Sequence, residues 1–258
     1  MTRAIVDLEA HEWGSAPDFY GPRHDYREAL MLRRLLPTMP GPRVLNAGCG
    51  AGSLTLRLAA LGLEVTSVDA SPAFVERLEG ILAAGHPGRR LPVERGDLHD
   101  LGYADGSFDA VVCGEVLEHL QHDRRAIAEL RRVLAPGGVL VASVPANPWR
   151  YDWFDHWAGH CRRYTPEGLG ARLQDAGFAE GRVTPWGFPL TGLFHRHVFM
   201  PMLRRRITSG GGGPGTPPAW ARAAFPVVRA VLEVDTLFQG RAPGWFGLIA
   251  WARTAPAR

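Results

Sequence analysis

One twelve-residue stretch, DHWAGHCRRYTP from Asp155 to Pro166, concentrates side chains that could do chemistry. His156 and His160 lie four residues apart in it, with an aspartate and a cysteine nearby. Such a set could transfer a proton through a histidine, bind a metal ion or anchor a surface loop through hydrogen bonds. The stretch does not discriminate between these roles, so the neighbouring chemistry has to be identified first.

A second group of residues indicates a ligand that contains a ribose. VLNAGCGAG places Gly48, Gly50 and Gly52 between an apolar run and a helical pattern, where glycines let the backbone approach a ligand closely. Asp69 ends the next apolar run, EVTSVD, where a carboxylate can accept both ribose hydroxyls. The dinucleotide fingerprint is G-x-G-x-x-G, whereas this loop reads G-C-G-A-G, and no phosphate-loop Gly-Lys-Ser/Thr follows. The spacing favours a mononucleotide-like cofactor, such as S-adenosylmethionine, over a nicotinamide dinucleotide.

These residues need a parallel sheet to bring them together. From residue 43 the chain alternates short apolar runs with amphipathic stretches, which is the βαβ pattern. The predicted strands are RVLNA, EVTSVD, LPVERGD, FDAVVCG, VLVASVP and, last, GLIAWAR. Helices are predicted over 24–37, before Pro136-Gly137-Gly138, and over 165–178 with Thr165 as N-cap. In such sheets ligands bind at the carboxyl ends of the strands.

The same motifs resemble those of the class I S-adenosylmethionine-dependent methyltransferases. VLNAGCGAG, EVTSVDAS, RGDLHDL, FDAVVCGEVLEHL and LRRVLAPGGVLVASVP follow in that family's order and at its spacings over residues 43–145. The resemblance implies S-adenosylmethionine as cofactor and an α/β fold. We expect a Rossmann-like three-layer sandwich whose seven-stranded sheet is mostly parallel, with an antiparallel last strand and a helical insertion between the last two strands.

The resemblance also implies which residues bind the cofactor. Three groups are expected, for the methionine part, the ribose and the adenine. They are Asn46, Ala47, Gly48, Gly50 and Gly52 with Gly114 and Glu115 for the methionine part, Asp69 followed by Ala70 for the ribose, and Asp97 with Leu98 for the adenine.

Two further contacts depart from the family's usual pattern or lie outside its motifs. Asn46 stands where the family usually has an acid, so it lacks the charge that complements the ligand ammonium, and we expect a secondary contact. The segment FYGPRHDYRE would fold over the same crevice, so Tyr20 and Arg23, or Tyr26, could bind the cofactor carboxylate. The same residues could instead form the polar face of an amphipathic helix.

Three histidines are candidates for a catalytic base: His160, His156 and His119. Methyl transfer is an in-line displacement that depends on alignment, and a base is needed only for a protonated acceptor. His119 could instead pack against the cofactor loop, and His160 could pin its own loop to the following helix. We predict no metal, because transfer from a sulfonium requires none and Gly159 disfavours the helix that would align His156 with His160.

The acceptor site is predicted from aromatic density. ANPWRYDWFDHWAG follows the fifth strand, so its rings could wall an apolar or aromatic acceptor. A GHxRRYT segment recurs at this place in a group of methyltransferases that the chain resembles. The predicted substrate-binding residues are Trp149, Tyr151, Trp153, Trp157, Arg163 and Tyr164.

The chain divides into four predicted segments. They are a helical cap (1–40), a Rossmann-like core (41–186), a helical insertion or lid (187–244) with a flexible glycine-rich loop at 209–218, and a final strand and tail (245–258). The insertion is apolar, with three consecutive arginines near its middle. It could cap the acceptor pocket, form the face of a homodimer or touch a membrane surface.

Composition narrows the classes of function. With 29 Lys+Arg against 26 Asp+Glu the charge is +3 and scattered, so nucleic-acid binding is not expected. Three cysteines without a CxxC pair, and an N-terminus without the apolar core of a signal peptide, predict a reduced, cytoplasmic protein. Charged and proline residues interrupt the apolar segment 187–203, so no stable membrane insertion is expected.

The predicted function is methylation of a small hydrophobic or aromatic molecule at oxygen, nitrogen or carbon, with S-adenosylmethionine as donor. One alternative keeps the reaction but gives it a lipid-linked or prenylated acceptor at a membrane surface. Another alternative is a cofactor-binding protein without transfer activity.

Overall fold

A computed structural model describes residues 21–85, 91–208, 219–240 and 246–257 of the chain. Its strands are β1 (Arg43–Ala47), β2 (Glu64–Asp69), β3 (Val93–Arg95), β4 (Phe108–Gly114), β5 (Leu134–Pro145), β6 (Glu180–Trp186) and β7 (Gly247–Arg253). Its helices are α1 (Pro22–Leu35), α2 (Ser53–Ala60), α3 (Pro72–Gly85), α4 (Asp123–Arg132), α5 (Trp153–Ala158), α6 (Pro166–Asp175), α7 (Leu190–Phe194), α8 (Met200–Thr208) and α9 (Ala219–Leu232). A π-helical turn (His195–Phe199) joins α7 to α8, and a 3₁₀ turn (Leu117–His119) follows β4.

The strands form one seven-stranded sheet in the order β3-β2-β1-β4-β5-β7-β6. β1 to β5 pair in parallel, and β7 runs antiparallel to both of its neighbours. The strand order reverses between β1 and β4, which places a ligand crevice at their carboxyl ends. The predicted fold is confirmed, including GLIAWAR as the antiparallel last strand and the helical insertion before it.

Side chains of the central strands enter two separate cores. Val111 and Cys113 of β4 pack with α4 and α6 on one face, whereas Ala110 and Val112 pack with α1, α2 and α3 on the other. All four side chains are fully buried. Because helices cover both faces of the sheet, β4 reads as a continuous apolar run instead of an alternating one.

One helix ends earlier than the sequence indicates. We expected Pro136-Gly137-Gly138 to end the helix before VLVASVP, but α4 ends at Arg132 and β5 already pairs with β4 at Leu134. The Pro-Gly-Gly residues lie where the register of this pairing shifts. Gly137 has a φ of 74°, a conformation that favours glycine, so these residues form a bulge in the strand instead of a helix stop.

The helix that follows the chemically rich stretch begins as predicted. Thr165 is the N-cap of α6, and its hydroxyl accepts a hydrogen bond from the backbone N–H of Gly168 at 3.0 Å. The helix ends before Gly177, which has a φ of 86°. This capping fixes the direction in which residues 155–165 leave the sheet.

The insertion between β6 and β7 packs on α1. Arg229 of α9 donates to Asp25 at 2.8 Å, and Arg33 donates to Glu233 at 2.6 and 2.8 Å. Within the described ranges, every helix is too short or too polar to cross a membrane. The glycine-rich loop predicted at 209–218 lies outside the described residues.

Candidate active site

A cavity of about 620 Å³ opens at the carboxyl ends of β1, β2 and β4. The loops after the parallel strands line one half of it, α5 and the helices of the insertion line the other, and α1 contributes to both. One continuous cavity therefore joins the predicted cofactor loop to part of the aromatic segment predicted to hold the acceptor. We call its two parts the cofactor half and the acceptor half.

In the cofactor half, glycine residues of the loop after β1 line the cavity, so backbone atoms form its surface there. Gly48 and Gly50 line the cavity, and Gly48 has a φ of 74°. A Cβ at Gly48 would lie 2.3 Å from a methyl group of Val116, so a larger residue does not fit. The loop can therefore be approached closely by a ligand, as its composition predicts.

Asp69 lies beside this loop at the end of β2. Its carboxylate accepts hydrogen bonds from the backbone N–H groups of Gly50 at 2.8 Å and Ser71 at 2.9 Å. Burial raises the pKa of Asp69, and these N–H donors partly oppose the effect. Each oxygen keeps a further acceptor site, so the carboxylate can still receive ribose hydroxyls.

The end of the cavity predicted for adenine combines apolar surface with a polar rim. Leu98 and Phe74 line it and are both buried, and Ala70 lies nearby. Asp97 is more exposed, and its carboxylate accepts hydrogen bonds from the backbone and ring of His99 at 2.9 and 2.7 Å. These residues suit a flat base with one polar edge.

The end of the cavity predicted for the methionine part contains a carboxylate and a guanidinium that are not fully paired. Among the described residues, Glu115 Oε1 and Arg27 Nε are buried without a hydrogen-bond partner. The two side chains are 3.9 Å apart between Oε2 and Nη1. An amino-acid group carries both an ammonium and a carboxylate, so it matches this pair of unsatisfied groups. The residues present therefore fit S-adenosylmethionine.

Three residues that were predicted to bind the cofactor make their main contacts with other parts of the protein. Asn46 lines the cavity, but its amide donates to Thr55 at 2.9 Å, which keeps it in a buried polar chain. Ala47 lies outside the cavity because its methyl group points into the core. Gly52 lies outside it as the N-cap of α2, where a Cβ would meet Leu78 at 2.2 Å.

The acceptor half is lined mainly by aromatic side chains from distant segments. Trp157 of α5 lines it as predicted, whereas most of the other rings come from the insertion and the residue before β7. The aromatic residues are Phe154, Trp157, Phe194, Phe199, Trp220, Phe225 and Phe246. Such a wall excludes water and favours an apolar ligand.

Arg23 reaches this half from α1. Its guanidinium lies 4.7 Å from the ring centre of Phe199 and 4.8 Å from that of Phe246. It also donates to Nδ1 of His195 at 2.7 Å, and burial together with this cation holds the pKa of His195 well below its usual range. Arg23 was predicted to bind the cofactor carboxylate, but it lines the acceptor half, where it packs among rings of the insertion and Phe246. Tyr20 lies outside the described residues.

Two predicted histidines, His119 and His160, lie where the two halves meet. Their rings are 4.8 Å apart between centroids and nearly perpendicular. Burial and the neighbouring His160 lower the pKa of His119 to about 4, so its imidazole is neutral at neutral pH. Glu118, the residue before it, is fully buried, and burial raises its pKa well above the usual range.

A buried aspartate fixes His160. Nδ1 of His160 donates to Oδ1 of Asp155 at 2.8 Å, and Nε of Arg163 donates to the same oxygen at 2.8 Å. Burial alone would raise the pKa of Asp155, but these two hydrogen bonds outweigh it and lower the pKa. Because Nδ1 of His160 is hydrogen-bonded to Asp155, Nε2 is the ring nitrogen that can contact a ligand. Arg163, a predicted substrate-binding residue, also lines the cavity.

The remaining predicted residues of this segment lie outside the cavity. His156 is exposed, and Trp149 is 74% exposed. The Tyr151 hydroxyl donates to the backbone carbonyl of His160 at 2.5 Å, and Trp153 packs against the insertion. Tyr164 is buried in the core, where its hydroxyl contacts Asp123 at 2.9 Å. Of the aromatic residues predicted to bind the acceptor, Trp157 is the one that lines the cavity among the described residues.

Glu118, Phe154 and His195 were not among the predicted site residues, although Phe154 belongs to the aromatic segment predicted to wall the acceptor. Glu118 had no distinctive local signal, since glutamate is almost never fully buried. His195 interrupts the apolar segment 187–203, a feature that we used only against a membrane span. Phe154 was one ring among several, and only the packing of α5 distinguishes it.

Comparison with known proteins also indicates a methyltransferase. Residues 45–142 match the model of a family described as "Methyltransferase domain". The chain is 28% identical to 2-methyl-6-phytyl-1,4-hydroquinone methyltransferase of Synechocystis sp., covering 90% of this chain and 74% of the relative. It is 34% identical to the ubiquinone biosynthesis O-methyltransferase of Hahella chejuensis over 54% of this chain, and the match spans 59% of that relative.

Solved structures share the fold over nearly the whole chain. The [4+2]-cyclase SpnF has a TM-score of 0.65 and 22% identity, covering 97% of this chain and 88% of its own. Phosphoethanolamine N-methyltransferase 2 of Haemonchus contortus, solved with S-adenosyl-L-methionine, has a TM-score of 0.65 and 16% identity. The match covers 96% of this chain and 56% of that one. Since these likenesses show the fold alone, the family match and the cavity carry the assignment. The family match over residues 45–142, the methyltransferase relatives and the fold together support a class I S-adenosylmethionine-dependent methyltransferase.

Proposed function

We propose that this protein transfers a methyl group from S-adenosylmethionine to a small hydrophobic molecule that carries a hydroxyl group on an aromatic ring. The single observation that carries the proposal is the continuous cavity, in which a cofactor half of glycine backbone and acids meets an aromatic acceptor half. His119 and His160 are the polar side chains at the junction. An acceptor with an apolar body and one polar group matches this arrangement.

In the cofactor half, Asp69 would bind the ribose, Leu98 and Phe74 the adenine, and Glu115 with Arg27 the amino-acid end. When bound there, S-adenosylmethionine supplies an electrophilic methyl group on a positively charged sulfur. The chain's contribution is alignment, because an in-line displacement is accelerated mainly by holding the two reacting atoms close together.

In the acceptor half, the aromatic side chains hold the acceptor and exclude water. Trp157 and Phe154 lie on α5, and Phe154 stacks edge-on with His160 at 6.0 Å between ring centroids. An aromatic acceptor held by these rings has its hydroxyl next to His160 or His119. Either histidine can contact that hydroxyl directly or through a bound ion.

The relatives' names support a phenolic acceptor. One is named for an alkylated hydroquinone, and the other for O-methylation in ubiquinone biosynthesis. Hydroquinones have an apolar ring and an ionisable hydroxyl, which are the two properties that the acceptor half selects.

The test is a transfer assay on the purified chain. Methyl-labelled S-adenosylmethionine is incubated with the protein and either a panel of substituted hydroquinones and catechols or a metabolite extract, and the products are identified by mass spectrometry. We expect a labelled methyl ether of a hydrophobic phenol. Cofactor binding without any labelled product, from the panel or the extract, would contradict the proposal and favour a binding protein.

A second candidate keeps the reaction but takes a lipid-linked acceptor from a membrane surface. The observation that favours it is an apolar surface on the insertion, formed by Leu193, Val198, Met202, Trp220, Val227, Val231, Val234 and Leu237, all at least 43% exposed. Val198, Met202 and Trp220 also line the cavity, so this surface is continuous with the acceptor half. A bound lipid could pass its head into the cavity along these residues.

Vesicle co-sedimentation distinguishes the two candidates. With neutral phosphatidylcholine vesicles, a membrane role predicts binding that persists at high salt and is lost in Trp220→Ser. Gel filtration in parallel checks the predicted homodimer through the same helices, because a second copy would also cover this surface. A monomer that ignores vesicles would leave the small free acceptor as the proposal.

A further inference from the structure

Glu118 presents an unusual arrangement for a buried acid. Its side chain is 0% exposed, and among the described residues neither carboxylate oxygen has a hydrogen-bond partner. Burying a carboxyl group without partners is costly, so native proteins nearly always satisfy such groups. The arrangement indicates that something else contacts these oxygens in the working protein.

Two imidazoles stand next to this carboxylate. Glu118, His119 and His160 each offer one ligand atom, and the three atoms lie within 4.8 Å of one another. Two ligand atoms bound at about 2.1 Å to one ion lie about 3 to 3.5 Å apart, so small side-chain movements would bring the set to coordination distance. The backbone holds the two segments together, because Cys161 N–H donates to the carbonyl of Glu118 at 2.7 Å.

The supporting shell has the form found around metal-binding histidines. His160 donates through Nδ1 to Asp155, which leaves Nε2 for another contact. His119 is hydrogen-bonded to the backbone of Gly159. A histidine ligand typically donates its other ring nitrogen to a carboxylate or a backbone carbonyl, since this fixes its orientation. Arg163 pairs with Asp155, whereas neither carboxylate oxygen of Glu118 has a hydrogen-bond partner among the described residues.

We propose that Glu118, His119 and His160 bind one divalent metal ion at the junction of the two halves of the cavity. Two imidazoles and a carboxylate suit Zn²⁺, Fe²⁺ or Mn²⁺, and three protein ligands leave coordination positions open. Since both histidines line the cavity, an ion bound by them would be reachable from it. The inference rests on the proposed function in one respect: the ion would bind the hydroxyl oxygen of the acceptor and hold it beside the cofactor half.

The ligand set differs from the one that the sequence suggested for a metal. The spacing of His156 and His160 drew attention to that pair, but His156 is exposed and lies outside the cavity. Glu118 and His119 come instead from the turn after β4. The argument from chemistry, that methyl transfer needs no metal, concerns the donor sulfonium and does not address an ion that binds the acceptor.

The test uses the full chain and measures metal directly. Protein is stripped with EDTA, titrated with ZnCl₂ or MnCl₂ in a calorimeter, dialysed and analysed by inductively coupled plasma mass spectrometry. We expect about one ion per chain, and a loss of affinity of at least tenfold in Glu118→Gln and in His160→Asn. His197→Gln, which changes an exposed histidine, should bind as the wild type does.

Folding and function are controlled separately. Circular dichroism must show that each variant is folded, and binding of S-adenosylhomocysteine must be retained, because Glu118 and His160 lie outside the predicted cofactor contacts. Equal metal affinity in wild type and Glu118→Gln, or stripped protein that takes up no ion, would overturn the inference. Methyl transfer by such metal-free protein would leave the proposed function standing, whereas specific metal binding without any methylated product would uphold the site and contradict the function.

Discussion

The two halves of the cavity are built in different ways. The cofactor half consists of short turns after β1, β2, β3 and β4, together with α1, and its turn residues lie within residues 46–116. The acceptor half combines α1, the segment after β5, the insertion and Phe246, which are far apart in the chain. Consecutive turns carry a local pattern that identifies them, whereas a wall assembled from distant helices depends on how those helices pack.

The largest effect is expected from the tightest position of the cofactor half. Gly48→Ala adds a Cβ 2.3 Å from Val116 at a φ of 74°. The positive φ costs about 1 to 2 kcal/mol and the overlap about 1 to 3 kcal/mol. Because relief requires the loop to move, affinity for S-adenosylhomocysteine should fall about a hundredfold or more in calorimetry.

Gly62→Ala is the matched control for this change. Gly62 also has a positive φ, 86°, but a Cβ there meets nothing within 4 Å. This variant should lose some stability and keep its cofactor affinity. If Gly48→Ala and Gly62→Ala bind equally well, the close approach of the loop to the cofactor is refuted.

This contrast also explains what could be predicted from the sequence. The parallel strands, Gly48 and Asp69 follow from turn chemistry and apolar runs, which act over a few residues. The antiparallel direction of β7 was expected only from the family resemblance, and β6 (Glu180–Trp186) was not located from the sequence. Trp149 and Trp157 belong to one aromatic segment, yet only Trp157 lines the cavity. Their different positions result from the capping of α5 and its packing against the insertion, and no local pattern contains that information.

Helix α1 belongs to both halves, and its buried acid should make the fold acid-sensitive. Burial would raise the pKa of Glu28, but hydrogen bonds from His24 and Ser53, with Arg27 and Arg57 nearby, lower it from the usual 4.5 to about 2. A depressed folded-state pKa stabilises the protein above pH 4.5, and this contribution is lost as the pH falls towards 2. At pH 6, Glu28→Gln should lower the free energy of unfolding by up to about 3 kcal/mol.

Urea unfolding at a series of pH values measures this contribution. The difference between wild type and Glu28→Gln should shrink progressively below pH 4.5. Glu76→Gln, which changes an exposed glutamate on α3, should give a small difference at every pH. A Glu28→Gln difference that stays constant between pH 6 and pH 3 would show that the charge of Glu28 does not link α1 to the cofactor half.

A smaller effect is expected at the ribose position. Asp69→Ala removes a carboxylate that contacts the glycine loop and is predicted to accept the ribose hydroxyls. The loss of such charged hydrogen bonds should weaken binding of S-adenosylhomocysteine by about 1 to 3 kcal/mol. Asp69→Asn keeps the side-chain size and one acceptor oxygen, so its affinity for S-adenosylhomocysteine should lie between those of the wild type and Asp69→Ala. Unchanged affinity in both variants would remove Asp69 from the cofactor site.

The smallest effect is expected at Phe154, where a substitution should affect binding in the acceptor half and leave the cofactor half unchanged. Phe154 contacts the rings of Trp157, His160, His195 and Phe199, with centroids 5.8 to 6.3 Å apart. Phe154→Ala should raise KM for the phenol that accepts the methyl group about tenfold, since one such ring contributes about 1 to 2 kcal/mol, and should leave cofactor affinity unchanged. Trp149→Ala, at a position 74% exposed, should leave both constants unchanged. If Trp149 proves the more sensitive of the two, the acceptor binds on the outer face of the aromatic segment, and the cavity described above holds only the cofactor.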